Sequence, residues 1–451
     1  MKIIITGGLG YIGTELCKIY SGESRYKNIT VIDNRFASER VTQLRDWGIN
    51  FIHGDIMDLS LMESILYDAD IVYHLAGITD VAYTKTESNS EKDKKITEVG
   101  IEGTKNIIKS LSKHAKLIFP STHVVYEGLE ETKFDLDESE PLLPVLTYSS
   151  GKVESEIDIK NSNIDFIILR LATVFGISSD TMRINIMPNL FSKITSQNGT
   201  IKLFSGGKQH KSLVSVFDVV RAMKILAENN EISKEIFHCS SDNTTVKGVA
   251  EICKEINHQV ELVETDDEIP NLGYTISNKK ILSTGFRFKY PLKESLEEMI
   301  KAWSEKTQFN TLELIQKGQK EFIDDRGKIS NFELTEPINL IGYIESKAGT
   351  VRANHYHPIQ EQKCLLITGQ YISVLKDLSD PNSVVETNII NPGDLAVIHP
   401  NVAHTMVFLE DSIFLNLVRG EREHENYGVT HTIPYELVNE RLRKQIVDHY
   451  N

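Results

Sequence analysis

The feature that most constrains the fold is Thr6–Gly13, TGGLGYIG, which follows directly on the apolar run Lys2–Thr6, KIIIT. Gly7, Gly10 and Gly13 recur at every third position, where a strand gives way to a helical pattern. Glycines there let the chain turn sharply, let the backbone approach a pyrophosphate, and aim the free N–H groups of a helix N-terminus at the anion. Four further apolar runs follow between longer helical patterns: Ile29–Asp33, Asp70–His74, Lys116–Pro120 and Phe166–Arg170. Continuous apolar strands alternating with helices predict an α/β domain with a parallel sheet covered on both faces. The second run ends in Asp33, 20 residues after Gly13. A carboxylate there accepts hydrogen bonds from the adenosine ribose and repels a 2′-phosphate, which favours NAD over NADP. Arg35, close by, weakens that preference.

A chain of 451 residues is too long for one core, so two or three domains are expected. The texture changes from Phe322 onward. Short runs such as EQKCLLITG, YISVLKD, ETNII and LAVIHP are punctuated by Gly, Pro, Asn and Asp, the pattern of an antiparallel barrel or jelly roll. The helical stretch Pro291–Lys306 closes the first region, giving domains at 1–308 and 321–451 with a linker at 309–320. A formal charge of -15 without long single-sign runs argues against nucleic acid or an anionic membrane as partner. Cys17, Cys239, Cys253 and Cys364 form no CxxC pair, so no disulfide framework is expected. With no signal-like segment before the first strand and no long apolar run, a cytoplasmic location is expected.

Tyr148 and Lys152, in YSSGK, share a face if the segment is helical. An ammonium beside a phenol stabilises the phenolate and brings its pKa down from about 10 toward that of a general base. Thr122, after the run Lys116–Pro120, offers a hydroxyl to hold a substrate oxygen next to Tyr148.

Together TGGLGYIG, VIDN, HGDI, HLAG, STHVVY, YSSGK, LRLATVFG and SLVSVFDVVRAM make residues 1 to about 305 resemble the extended short-chain dehydrogenase/reductases, the NAD-dependent nucleotide-sugar epimerases and dehydratases of Rossmann type. The resemblance implies NAD(H) held by Gly7, Gly10, Tyr11, Ile12, Gly13, Asp33, Asp55, Ile56, Leu75, Ala76 and Gly77, with Tyr148 and Lys152 also touching it. Thr122, Tyr148 and Lys152 are then catalytic, and Arg183 and Lys211 meet the diphosphate of a nucleotide-sugar substrate. Two departures matter. Gly100 replaces an asparagine usual in the family. His123 and Val124 replace the Asp-Glu pair that follows the active-site threonine in 4,6-dehydratases, so hydride transfer at the hexose C4 is expected rather than dehydration.

The C-terminal third contains GTVRANHYHPIQE, Gly349–Glu361. On a strand, residues i and i+2 face the same side, so His355 and His357 project together. With Glu361 and His404 they make a ligand set suited to a divalent ion such as Zn, Mn, Fe or Ni. This pattern resembles the cupins. Phe322–Ser330 and Gly349–His357 further resemble the dTDP-4-dehydrorhamnose 3,5-epimerases and related keto-sugar isomerases. That likeness implies His355 as catalytic base and Arg326 and Arg352 as substrate contacts. His355 serves either as a base or as a metal ligand, not both at once. The expectation is a bifunctional enzyme of surface-polysaccharide sugar biosynthesis, forming a homodimer by analogy with both families. Two alternatives stay open: a 4-epimerase with a non-catalytic sugar-binding or dimerising cupin, and a sugar-nucleotide sensor, against which the intact Thr122, Tyr148 and Lys152 set argues.

Overall fold

The computed structural model describes the whole chain apart from residues 24–25, 27, 37, 79–89, 179–182, 184–185, 197, 267–271, 307–311, 318, 325–326, 333, 335–337, 381–382, 420–431 and 451. The chain divides into two compact units. One comprises Met1–Asn189, Lys202–Ile256 and Leu262–Met299; the other comprises Leu190–Ile201, Asn257–Glu261 and Ile300–Asn451.

The first unit is built on a seven-stranded sheet in the spatial order Glu235–Cys239, Asp165–Leu171, Lys116–Thr122, Ile71–His74, Ile3–Thr6, Ile29–Asp33, Asn50–His53. Every neighbouring pair is parallel. The expected central strands are all present and almost wholly buried. Alternate residues feed two cores, one with Ile3, Ile5, Val31, Tyr73 and Ile118, the other with Ile4, Ile32, Val72, Leu117 and Phe119. A sheet buried on both faces needs this unbroken apolar character. Asn50–His53 and Glu235–Cys239, at the two edges, were not foreseen: partly exposed and carrying polar residues, they show no continuous apolar run. The strand order reverses between Ile3–Thr6 and Ile71–His74, and the crevice at such a reversal is where open α/β sheets bind ligands. The helix predicted over Pro291–Lys306 runs Leu292–Lys306.

The second unit contains two five-stranded sheets. One has the order Glu313–Lys317, Asp394–Ile398, Gln362–Thr368, Ser412–Val418, Leu340–Ser346. The other has the order Glu386–Ile390, Tyr371–Asp377, Val402–Phe408, Val351–Tyr356, Ile433–Pro434. All their pairings are antiparallel. Cys364, Leu366, Ala396 and Phe414 of the first meet Tyr371, Ile390, Met406 and Phe408 of the second in a common core. The outer face of the second sheet packs Ile372, Val374 and Val407 against Leu442, Ile446 and Val447 of the helix Glu440–Tyr450. Glu313–Lys317, inside the stretch read as a linker, is a strand of the first sheet. All four cysteines are buried, and none forms a disulfide among the described residues. Among the described residues no helix is long and apolar enough to cross a membrane.

Candidate active site and candidate metal centre

The glycine loop forms a cradle that side chains would fill. Gly7 has φ +70°, and a Cβ on it would lie 2.6 Å from the Ala76 nitrogen. A Cβ on Gly13 would lie 2.6 Å from both the Gly7 oxygen and the Gly8 Cα. Gly10 precedes the helix Tyr11–Ser21, whose N-terminus carries neither a side-chain cap nor an acidic residue in its first turn. An uncapped helix start beside a side-chain-free loop fits the pyrophosphate of a dinucleotide. Tyr11 and Ile56 are buried, the Tyr11 hydroxyl donates to the Gly176 oxygen, and Ile12 packs on the core, so these three offer backbone rather than side chain. The Leu75 N–H donates to the Thr6 oxygen and the Ala76 N–H to Thr6 Oγ1, while Gly77 faces open space. Asp55 accepts from Asn34 Nδ2 at 3.0 Å and the Met57 N–H at 2.9 Å.

Asp33 is buried and already satisfied. Its carboxylate accepts from the Leu9 N–H at 3.0 Å, the Arg35 N–H at 3.0 Å, Arg35 Nε at 3.2 Å and Arg35 Nη2 at 3.3 Å. The neighbour that weakened the NAD preference in the sequence is thus this carboxylate's own partner.

Thr122 ends its strand in extended conformation, and its Oγ1 accepts from the Val124 N–H at 3.3 Å. Tyr148 and Lys152 lie one turn apart on the helix Thr147–Asn161. Lys152 Nζ is 5.9 Å from the Tyr148 ring centroid and 4.4 Å from that of Phe119, and it donates to the Pro120 oxygen at 2.9 Å. The strand carrying Thr122 therefore anchors the lysine. Burial pushes Lys152 down to about 8 against the opposing pull of Glu156. Burial also holds Tyr148 above the ordinary phenol value, with the Arg183 charge pulling it back. This is opposite to the lowering expected from Lys152: removing a phenolate from water costs more than the Arg183 charge returns. Lys211 is likewise pushed down to about 8 by burial, and its charge helps hold His123 near 3. Among the described residues neither Arg183 nor Lys211 is ion-paired.

Glu127 was missed in the sequence. Its carboxylate accepts from the Val145 N–H at 2.9 Å, the Leu146 N–H at 2.7 Å and the Ser149 hydroxyl, and so caps the helix that carries Tyr148. Leu146 at the N-cap position, a residue unable to cap, was the available signal. The Gly100 oxygen accepts from Thr104 Oγ1 and Ser155 Oγ, and Thr104 in turn meets the buried His74 at 3.0 Å.

In the second unit His355, His357 and His404 converge, with one ligand atom from each within 4.8 Å of the others. His355 is directly opposite His404 in the pairing of Val351–Tyr356 with Val402–Phe408. His404 Nδ1 donates to the Val402 oxygen at 3.1 Å, and its buried Nε2 has no hydrogen-bond partner among the described residues. A lone pair orphaned beside two other imidazoles fits a divalent metal. The strand is irregular just before His355: Ala353 and Asn354 have φ of 70° and 57°, and the register shifts there. The bulge is pinned by Asn354, whose Oδ1 accepts from Thr405 Oγ1 and the N–H groups of Leu437 and Val438, and whose Nδ2 donates to the Val438 oxygen. Arg352, opposite the core residue Met406, shares the histidines' face and donates to Ser346 Oγ and the Glu345 oxygen. Glu361, expected as the carboxylate ligand, is not in the cluster: it lies 3.0 Å from Lys363 Nζ and 3.7 Å from His399 Nδ1. Arg326 falls outside the described residues.

Residues 3–239 match the NAD dependent epimerase/dehydratase family. The chain belongs to that family. It is an enzyme on that ground, and NAD is the family's cofactor. Family relatives include a dTDP-D-glucose 4,6-dehydratase of Dictyostelium discoideum, 27% identical over 53% of this chain and 58% of the relative. A UDP-N-acetyl-alpha-D-glucosaminuronate decarboxylase of Bacillus cytotoxicus is 26% identical over 64% of this chain and 85% of its own length. Among solved structures, UDP-glucose 4-epimerase of Thermotoga maritima with UDP-glucose superposes with a TM-score of 0.59 at 24% identity, covering 68% of this chain and all of that one, which shows a shared fold.

Proposed function

We propose that the chain is a bifunctional nucleotide-sugar enzyme, with NAD(H)-dependent hydride transfer at the hexose C4 in its first part and epimerisation or isomerisation of a 4-keto sugar in a C-terminal cupin. The observation that supports the first activity is the anchoring of Lys152, one helical turn from Tyr148, to the Pro120 oxygen of the strand that ends in Thr122, in a chain whose glycine cradle fits a dinucleotide. When bound, NAD(H) supplies or accepts the hydride. Thr122 holds the C4 oxygen, Tyr148 passes the proton to or from it, and the Lys152 charge favours the phenolate once ligand is in place. Arg183 and Lys211, two cations without ion pairs among the described residues, suit the substrate diphosphate.

For the second activity, a 4-keto group acidifies the hydrogens at C3 and C5. The grouping of His355 with His357 and His404 favours metal holding over a free base at His355. A divalent ion there would act as a Lewis acid toward the ketone, and Arg352 on the same face would fix the substrate. We place this activity in the all-β part, counting Glu313–Lys317 with it, and read the enzyme as a cytoplasmic homodimer.

The test is proton NMR in D₂O with a nucleotide-linked 4-keto-6-deoxyhexose, with and without NADH. Deuterium entering C3 or C5 without NADH, followed by reduction only after NADH is added, is the expected result. No exchange and no NADH oxidation would defeat the proposal. It would favour the second reading, a 4-epimerase with a non-catalytic cupin, for which the likeness to UDP-glucose 4-epimerases speaks.

A further inference from the structure

The position of Glu361 raises the question of what completes the histidine cluster. The parity of the strand Gln362–Thr368 answers it. Cys364 and Leu366 point into the core between the two sheets, alongside Ala396 and Phe414. Leu365 points the opposite way and packs with Leu395, Val397 and Leu417. Lys363 is opposite Val397 in the register and therefore lies on that outer face. Glu361 pairs with Lys363, two residues on, so its carboxylate is drawn to the outer face as well. His355 and His404 lie on the inner face: His404 has the parity of the core residues Met406 and Phe408, and His355 is opposite His404. Successive side chains of a strand alternate, so the residue next to Glu361 that looks inward is Gln362.

Gln362 also lies at the histidine end of the sheets. Its register partner, Ile398, closes the strand that turns through Asn401 into Val402–Phe408, and the Asn401 N–H donates to the His357 oxygen at 2.9 Å. The amide is oriented as well: Nε2 donates to Asn416 Oδ1 at 3.0 Å and to Cys364 Sγ at 3.2 Å. With the nitrogen so engaged, Oε1 is left to accept.

We infer that the fourth protein ligand of the metal centre is the side-chain oxygen of Gln362, and that Lys363 keeps Glu361 out of it. This inference rests on the metal-holding reading of His355, His357 and His404. A set of three imidazoles and one amide is neutral, so a divalent ion keeps its full charge toward a substrate oxygen, which a carboxylate ligand would partly cancel.

The test uses the full chain, stripped with chelator and titrated with Co²⁺ alone, reading bound metal per chain and the visible absorption bands of the cobalt. The variants are Q362A, E361Q/K363M and H404A, with near-ultraviolet circular dichroism as the folding check; the double variant removes both buried charges, so neither is stranded. Q362A is expected to shift the bands and weaken binding roughly 10- to 100-fold. E361Q/K363M is expected to keep both affinity and bands. Bands that move in E361Q/K363M as much as in Q362A, or that do not move in Q362A, overturn the inference alone. Wild-type protein that binds no cobalt, or H404A that binds it like wild type, overturns the metal-holding reading itself.

Discussion

Tyr148 and Lys152 are neighbours on one helix, while His355 and His404 are far apart in sequence and meet only because two antiparallel strands pair in one register. The helical pair keeps its shared face over a whole turn, whatever the rest of the chain does. The strand-borne histidines depend on parity: a slip of one residue carries a side chain to the other face of its sheet. The bulge at Ala353 and Asn354 uses this sensitivity, allowing Arg352, His355 and His357 to look the same way where a regular pleat would not. The first site thus rests on local geometry and the second on long-range register.

The largest expected effect breaks the comparison on the helical side. Tyr148→Phe lowers hydride transfer, read by NADH absorbance, by roughly 10²- to 10⁴-fold, with metal binding unchanged. On the strand side, Asn354→Ala removes four hydrogen bonds and a residue suited to positive φ. Calorimetric titration is expected to show metal affinity reduced by about 10- to 100-fold, and hydride transfer untouched. Asn354→Gly, which keeps the backbone conformation, falls between the two.

Lys152→Met separates activity from stability. Its pKa in the folded protein, about 8, lies below the ordinary 10.5, so the unfolded chain holds the proton more tightly and stability rises as pH climbs through that window. The variant lacks this dependence. It is expected to melt higher than wild type below pH 8, to lose that advantage toward pH 10, and to turn over poorly throughout. His74 and His123, both held near 3 by burial, act at the acid end. Unfolding takes up their protons as pH falls from about 6.5 toward 3, so denaturant midpoints of the first unit drop across that range. The smallest effect is Gly100→Ala: a Cβ there meets nothing within 4 Å, and a gain of about 0.5–1 kcal/mol is expected in urea titration.

The same contrast explains what was legible in the sequence. The central strands announced themselves because burial on both faces demands unbroken apolar runs, whereas Asn50–His53, half-exposed at an edge, did not. The Tyr148 and Lys152 spacing was readable, since a helix converts spacing into proximity without outside help. Glu127 was not, because its capping role depends on a loop returning to meet it. The two histidines of HYH were readable, but which residue after them shares their face was not. QKCLLIT carries Leu365 and Leu366 at both parities, so its inner face is settled only once Cys364 and Leu366 are seen in the core.

The pairing of Arg35 with Asp33 bears on how long a cofactor stays. A buried carboxylate that lost its only partners whenever the dinucleotide left would make the empty protein costly and departure slow. Here the chain brings its own cation to that carboxylate, which keeps hydrogen-bond partners without a dinucleotide. Such an arrangement lowers the cost of the empty state and so eases the departure of a dinucleotide. Arg35→Ala is expected to lengthen the lifetime of the bound form in a cofactor-exchange experiment.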